Sequence, residues 1–478
     1  MTRRLVPALA AAALLAGCMV GPDYERPTME LPAAYPGAQA APAQASAQTP
    51  AEARVPADWW KLYGDPLLDD LVASALERNA DIRQAVARIE ESDANLREAN
   101  AAFLPEIDAQ GNAGRSRAST TTGLIPPGVP SIRTDIRLAL TTAFELDFWG
   151  RLRRGVEALR AQALASRYAR DVVALTLSGL TAQAYFGVRS LDAQLIVTRE
   201  TLANRDESLA YVRKRAAGGI ASDLEVAQAE TARAAIAVQL RELQRQRALL
   251  EHQLAALTGR LDLAVGEGDV RVLPTPALPP AGLPSALLER RPDVRQAEEL
   301  LVSANAQIGV AKAAMFPTIS LTGSTGVESN ALSSLHDSGS RIWSLGFGLS
   351  LPLFDAGRYR ARTDAAGARE RQAVAGYQKA VETAFREVAD ALASVQSTSS
   401  AEQDYQAQVE AARRALRLAR LRYEAGYSAF LEVLDAQRTA NDAELAYLRN
   451  RQALLSATVD LMKSLGGGWS PRQVSAAR

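Results

Sequence analysis

The chain has 478 residues, and its 54 basic and 54 acidic side chains cancel to a formal net charge of zero. Balanced charge argues against the basic footprint that a nucleic-acid partner requires, and a single cysteine, Cys18, rules out an intramolecular disulfide or a multi-cysteine metal site. Alanine is abundant and aromatic residues are only 5%, a composition for closely packed helices rather than a large conventional core.

Arg3 and Arg4 precede an apolar run, Leu5 to Ala16, which is too short to span a membrane in the mature protein. Residues 1–17 therefore read as a signal peptide, ending in Leu15-Ala16-Gly17-Cys18. Residues 18–64 form an arm whose stretch from Ala33 to Pro56, rich in Ala, Gln and Pro, predicts extended chain. A first unit over 65–272 then runs in the order helix (about Pro66 to Leu104), strand (Ile107 to Gly114), loop, strand (Arg137 to Phe148) and two long helices. The first long helix, Arg151 to about Arg215, contains no proline and would be roughly 100 Å long. It breaks at Gly218-Gly219 and returns from about Ser222 to Leu257. A proline-rich linker follows at 273–284.

The second unit, 285–466, repeats the first. Ala75 to Ala85 reappears as Leu287 to Ala297, with Pro105 matching Pro317 and Gly111 matching Gly323. A second register links Gly150-Arg151 to Gly357-Arg358, and Gly219 with Leu224-Glu225-Val226 to Gly426 with Leu431-Glu432-Val433. The expected elements are a helix from Pro284 to Phe316, strands Ile319 to Val327 and Trp343 to Leu353, a helix from Arg358 to Glu424, and another from Ala429 to Leu465. Residues 467–478 are a tail. Heptad spacing at Val374, Val381, Phe385, Val388, Leu392 and Val395, and at Leu445, Leu448, Leu455, Val459 and Met462, marks coiled-coil seams.

The strands alternate apolar and polar residues. Leu138, Leu140, Thr142, Phe144, Leu146 and Phe148 point one way; Trp343, Leu345, Phe347, Leu349, Leu351 and Leu353 do the same in the second unit. Each segment is near the 9 to 11 residues that a tilted strand needs to cross a bilayer. Period-two alternation alone fits a half-buried sheet in a soluble sandwich equally well. Two hairpins are too few to close a barrel, so strands in lipid would require several chains to share one.

Strand pairs, two helical hairpins and a twofold repeat, preceded by a lipobox-like Leu15-Ala16-Gly17-Cys18, resemble the outer membrane factor family. The start of the mature chain, Cys18-Met19-Val20-Gly21-Pro22-Asp23-Tyr24-Glu25-Arg26-Pro27, is similar to its OprM-like, NodT-type lipoprotein branch. The resemblance implies an α+β membrane protein: a homotrimer with a twelve-stranded transmembrane β-barrel, four strands per chain, continued by a long periplasmic α-helical barrel. It implies diacylglycerol and an N-palmitoyl chain on Cys18 as the only covalent addition, with no cofactor. Met19 after Cys18 favours the bacterial outer membrane. The partners implied are a periplasmic adaptor (membrane fusion protein) and an inner-membrane resistance-nodulation-division (RND) transporter, with the protein as passive exit duct for drugs and other toxic small molecules.

The resemblance also implies a gate around Tyr423, Leu431 and Asp435, with Leu224 as the first-unit counterpart of Leu431 and Gly218, Gly219 and Gly426 as hinge turns. Gln228 stands opposite Asp435, so an acidic ring there would be threefold, and Glu424 stands where relatives commonly carry a basic residue. A duct for type I protein secretion shares this architecture. A periplasmic adaptor or coiled-coil scaffold without a pore fits less well, because it needs neither two hairpins nor four amphipathic strands. His252 and His336 lack ligand spacing, and Gly466-Gly467-Gly468 lacks the Lys and Ser/Thr of a phosphate loop, so neither metal nor catalysis is expected.

Overall fold

The computed structural model describes residues 19–29, 31–32, 34–35, 55–119, 121, 130–279 and 287–470. Cys18 and the expected signal peptide lie outside them. The chain builds two compact units, one from Met1–Thr28, Arg88–Ser166 and Gln296–Tyr377, the other from Met29–Ala87, Arg167–Arg295 and Gln378–Arg478.

The first unit holds one antiparallel sheet of β1 (Glu106–Arg117), β2 (Ile132–Leu146), β3 (Thr318–Ser329) and β4 (Arg341–Ser350), in that order. β2 pairs with β3, so hairpins from the two repeats form a single sheet and its outer edges are β1 and β4. All four strands run further at their loop ends than hydrophobic alternation predicts, β4 starting at Arg341 rather than Trp343. β1 continues to Arg117, β2 starts at Ile132 and β3 ends at Ser329. Backbone pairing outlasts the apolar pattern because the ladder needs no apolar side chains. β4 stops at Ser350 rather than Leu353, since Pro352 has no N–H to donate.

Register fixes which residues share a face. Ile107, Thr142, Gly323 and Leu345 form one cross-strand row, and Ala109, Leu140, Thr325 and Trp343 the next. Leu138, Leu140, Trp343, Leu345, Phe347 and Leu349 are all exposed on this face, Trp343 at 80%. The opposite face is polar along Asp108, Thr141, Ser324 and Ser344, with Ser324 Oγ 2.8 Å from Ser344 Oγ.

At the helix side of the sheet, Trp149 stacks on Phe316 at 4.8 Å and donates its indole N–H to Pro317 O. The segment from Val20 to Arg26 is strapped on here. Val20 N–H donates to Trp149 O at 3.1 Å, the buried Arg154 pairs with Asp23 at 2.6 Å, and Arg26 pairs with Glu298 at 2.6 Å. Gly21 (φ +115°) crosses Gly309 backbone to backbone. A Cβ on Gly21 would stand 2.6 Å from Gly309 Cα, and one on Gly309 would stand 2.8 Å from Val20 O.

The helices are α1 (Pro66–Arg78), α2 (Ala80–Ala101), α3 (Arg151–Ala217), α4 (Asp223–Thr258), α5 (Leu287–Arg290), α6 (Pro292–Ala313), α7 (Arg358–Glu424) and α8 (Phe430–Ser464). α3 and α7 have 67 residues each. The single helices expected over Pro66 to Leu104 and Pro284 to Phe316 are each broken in two, at the aligned residues Asn79 and Arg291. Asn79 turns extended (ψ 138°), caps Asp81 N through its side chain and donates to Leu257 O at 2.9 Å. In the second repeat Pro292 disfavours helical backbone in the residue before it, and Arg291 is held by Asp293, Glu387 and Ser464 O.

The second unit has its core around Trp59, Tyr63, Leu68, Leu71, Phe186, Leu254, Leu455 and Val459, all fully buried. Tyr63 packs on Phe186 at 4.8 Å and its hydroxyl meets Thr458 Oγ1 at 2.6 Å. The seam of α7 differs from the expected one. Val381, Ala384, Val388, Ala391 and Val395 are buried at spacings of three and four, while Phe385 and Leu392 are half-buried. Alanines hold positions that large apolar residues were expected to fill, and Ala412, Ala440 and Ala443 pack together likewise. Among the described residues no helix is long and apolar enough to cross a membrane.

Candidate functional site

The two turns expected to act as hinges share one backbone design. Gly219 (φ +74°) and Gly426 (φ +80°) take the left-handed conformation that closes a helix end. Ile220 N–H then donates back to Arg215 O at 2.9 Å, and Tyr427 N–H to the aligned Arg422 O at 2.8 Å.

The helices that follow start differently. Ser222 caps α4 with a reciprocal box: its side chain accepts from Glu225 N and Glu225 accepts from Ser222 N. Its counterpart Ala429 makes no side-chain cap for α8. A Ser-to-Ala change at such a position costs about 1 kcal/mol, so the second turn is the weaker of the two.

Tyr423 ties the turns together. It is buried in an apolar cluster that joins Leu209, Val212 and Ala229 of the first repeat to Phe430 and Val433 of the second. Its ring lies 5.3 Å from Phe430 and edge-on to Tyr211 at 6.5 Å, with the Arg215 guanidinium 4.9 Å above it. Burial, reinforced by Glu225 and opposed by Arg215, raises the phenol pKa above its ordinary value. Its hydroxyl is buried without a hydrogen-bond partner among the described residues.

The other residues expected at a gate face outward. Leu224 and Leu431 are 66% and 60% exposed, and Ile220 and Tyr427, which sequence reasoning passed over, stand exposed on the same turns. Leu431 and Asp435 line a groove of about 390 Å³ with Leu434, Arg438 and, from the first repeat, Ile236 and Arg205. Asp435 pairs with Arg438 at 2.7 Å, so its carboxylate is partly neutralised within the chain. Glu424 is exposed at a recess beside Arg420.

Arg205 was also not anticipated. It is 5% exposed and donates to Gln437 Oε1, its Nε has no partner among the described residues, and burial with nearby Arg420 lowers its pKa. Its repeat counterpart is Ala412, so the internal symmetry gave no signal for it. Among the described residues no three His, Cys, Asp or Glu side chains come together as a metal site. The arrangement offers an anchored aromatic pivot, two glycine turns and a set of exposed apolar side chains.

A family model described as Outer membrane efflux protein matches the chain twice, over residues 71–260 and 283–467. The solvent efflux pump outer membrane protein SrpC of Pseudomonas putida is 37% identical, over 96% of this chain and 97% of its own. The outer membrane protein OprJ of Pseudomonas aeruginosa is 38% identical, over 97% and 96%. The crystal structure of the CmeC outer membrane channel of Campylobacter jejuni superposes with a TM-score of 0.88 at 25% identity, covering 95% of this chain and 96% of that one.

Proposed function

This chain belongs to the outer membrane efflux protein family, and from that premise we propose how its parts act as the passive exit duct of a tripartite pump. The protein works in the outer membrane and extends into the periplasm.

The exposed apolar face of the sheet carries the proposal. Nine large apolar side chains from Ile107 to Leu349 lie exposed on one side, over a polar row on the other. The edges β1 and β4 lack strand partners among the described residues, and in hydrocarbon each unpaired backbone group costs several kcal/mol. Three copies joined β4 to β1 close a twelve-stranded barrel without an edge. Helices of 67 residues, roughly 100 Å long, continue the duct across the periplasm. The driving energy comes from an RND transporter of the inner membrane, delivered through a periplasmic adaptor. The cargo is toxic small molecules, apolar solvents among them.

The turn residues act as the gate: Leu224 and Leu431 as a six-membered apolar constriction in the trimer, Asp435 as a carboxylate ring one helical turn along, and Tyr423 as the pivot. Cys18 carries the lipid. Val20 docks on Trp149, and Met19 lies beside Gly150, the residue before α3. An acyl chain on residue 18 would therefore enter the bilayer beside the foot of the sheet.

Reconstitution tests the duct. Unboiled gels of outer-membrane fractions should show a trimer, planar bilayers should show a poorly conducting resting channel, and deletion of the gene should sensitise cells to solvents, dyes or antibiotics. A monomer without conductance would overturn the assembly. Cys18→Ser exported by another signal should lose palmitate label and keep the trimer; retained label would refute the lipid site.

A further inference from the structure

We infer that the outer rim of the lipid-facing side is a phosphate-binding site for the phosphorylated glycolipid of the outer leaflet, built by Arg115, Arg117 and Arg341. The inference rests on the barrel proposed above and adds a ligand to its wall.

Register is the first ground. Arg341 opposes Val327, which opposes Leu138, and that row continues two residues above the row of Leu140 and Trp343. Arg341 therefore belongs to the apolar face. In β1 the same face holds Ile107, Ala109, Gly111 and Ala113, and the alternation carries it on to Arg115 and Arg117. All three arginines are exposed, and none of their side chains makes an ion pair or hydrogen bond among the described residues. Arg137, on the polar face, instead pairs with Glu328 at 3.8 Å. Three guanidinium groups thus stand on the side of the sheet where water and counter-ions are scarcest.

Depth is the second ground. Arg341 is nine residues above Ser350 and Arg115 nine above Glu106, at the strand ends remote from the helices. At ~3.3 Å per residue and a tilt of ~40° that is about 23 Å, close to the ~25 Å height of a barrel's apolar band. Trp343, 80% exposed just below Arg341, fits the aromatic girdle that marks the same boundary. Arginines at this level meet headgroups rather than acyl chains.

Closure is the third. β4 of one protomer lies against β1 of the next, so Arg341 of one copy meets Arg115 and Arg117 of its neighbour at each of three seams. Guanidinium groups bind phosphate oxygens in bidentate fashion, which suits a headgroup carrying two phosphates.

The test uses the trimer in detergent with three probes: bisphosphorylated lipid A, its monophosphoryl form and inorganic phosphate. Native mass spectrometry counts bound glycolipid, and the heat-dissociation midpoint of the trimer reports its effect. Bisphosphorylated lipid A should bind about tenfold more tightly than the monophosphoryl form, as one charged contact allows, and should raise the midpoint. Inorganic phosphate should do neither. The triple variant R115Q/R117Q/R341Q should lose both effects with unchanged conductance, while R115K/R117K/R341K retains part and the lumen variant R137Q retains all. Equal retention by the glutamine variant, no discrimination between the lipids, or an equal response to inorganic phosphate would each overturn the site. Absence of a wild-type trimer would instead overturn the barrel, so the two failures are distinguishable.

Discussion

Leu345 and its neighbour Ser344 allow the orientation of the sheet to be tested within one residue of sequence. Leu345 is 72% exposed on the apolar face, and Ser344 belongs to the polar row, where it meets Ser324. Leu345 stands five residues above Ser350, or about 13 Å up at a tilt of ~40°, near the middle of the ~25 Å apolar band. An arginine there costs about 2 to 4 kcal/mol in each strand, and three copies raise this to roughly 6 to 12 kcal/mol per barrel. Ser344→Arg removes one hydrogen bond, worth about 1 kcal/mol, or roughly 3 per barrel. The least difference, about 3 kcal/mol, corresponds to two decades in the assembly equilibrium. Trimer yield on unboiled gels of outer-membrane fractions is the assay, supported by the urea midpoint of purified trimers. Leu345→Arg should nearly abolish the trimer, whereas Ser344→Arg should assemble and change conductance. Equal yields, or a worse outcome for Ser344→Arg, would refute the assignment of faces.

Three further outcomes are expected. Leu431→Ser should raise single-channel conductance and admit vancomycin to cells, and Asp435→Ala should weaken cation preference, with a smaller effect than a bare carboxylate would give because Arg438 already pairs with it. Ala429→Ser, which restores the cap that Ser222 provides in the first repeat, should stabilise the second turn by about 1 kcal/mol and lower the leak current through the resting channel; an unchanged leak would show that this turn does not move on opening. Gly309→Val should release the N-terminal strap, since even a Cβ there would lie 2.7 Å from Arg154 Cγ, and a glutamate-specific protease should then cut after Glu25 in the folded trimer.

Much of this architecture was legible because its periodicities are long. Alternation in Trp343 to Leu349 and the proline-free run after Arg151 leave few other readings, and the repeat reports each element twice. What escaped had weaker local signals. The break at Asn79 rests on a hydrogen bond to Leu257 O, 178 residues away, and asparagine is no obligatory helix breaker. The α7 seam was misjudged at Phe385 and Leu392 because tight helix packing buries alanines that carry little hydrophobic weight. At the turns, glycine spacing located the breaks between the long helices. The burial of Tyr423 and Arg205 depends on contacts between the two repeats, which no single segment encodes.

The free edges of β1 and β4 also bear on the genetics of the protein. A barrel that closes only around three chains samples the population of subunits three at a time. If half the chains in a cell carry a lesion that spoils one edge, only about one barrel in eight is free of it when subunits mix at random. Edge substitutions should therefore impair export in strains that still hold an intact copy of the gene. Lesions confined to the anchor proposed at Cys18 should recede behind the intact copy, because sound neighbours in the same ring can hold an unanchored subunit in place.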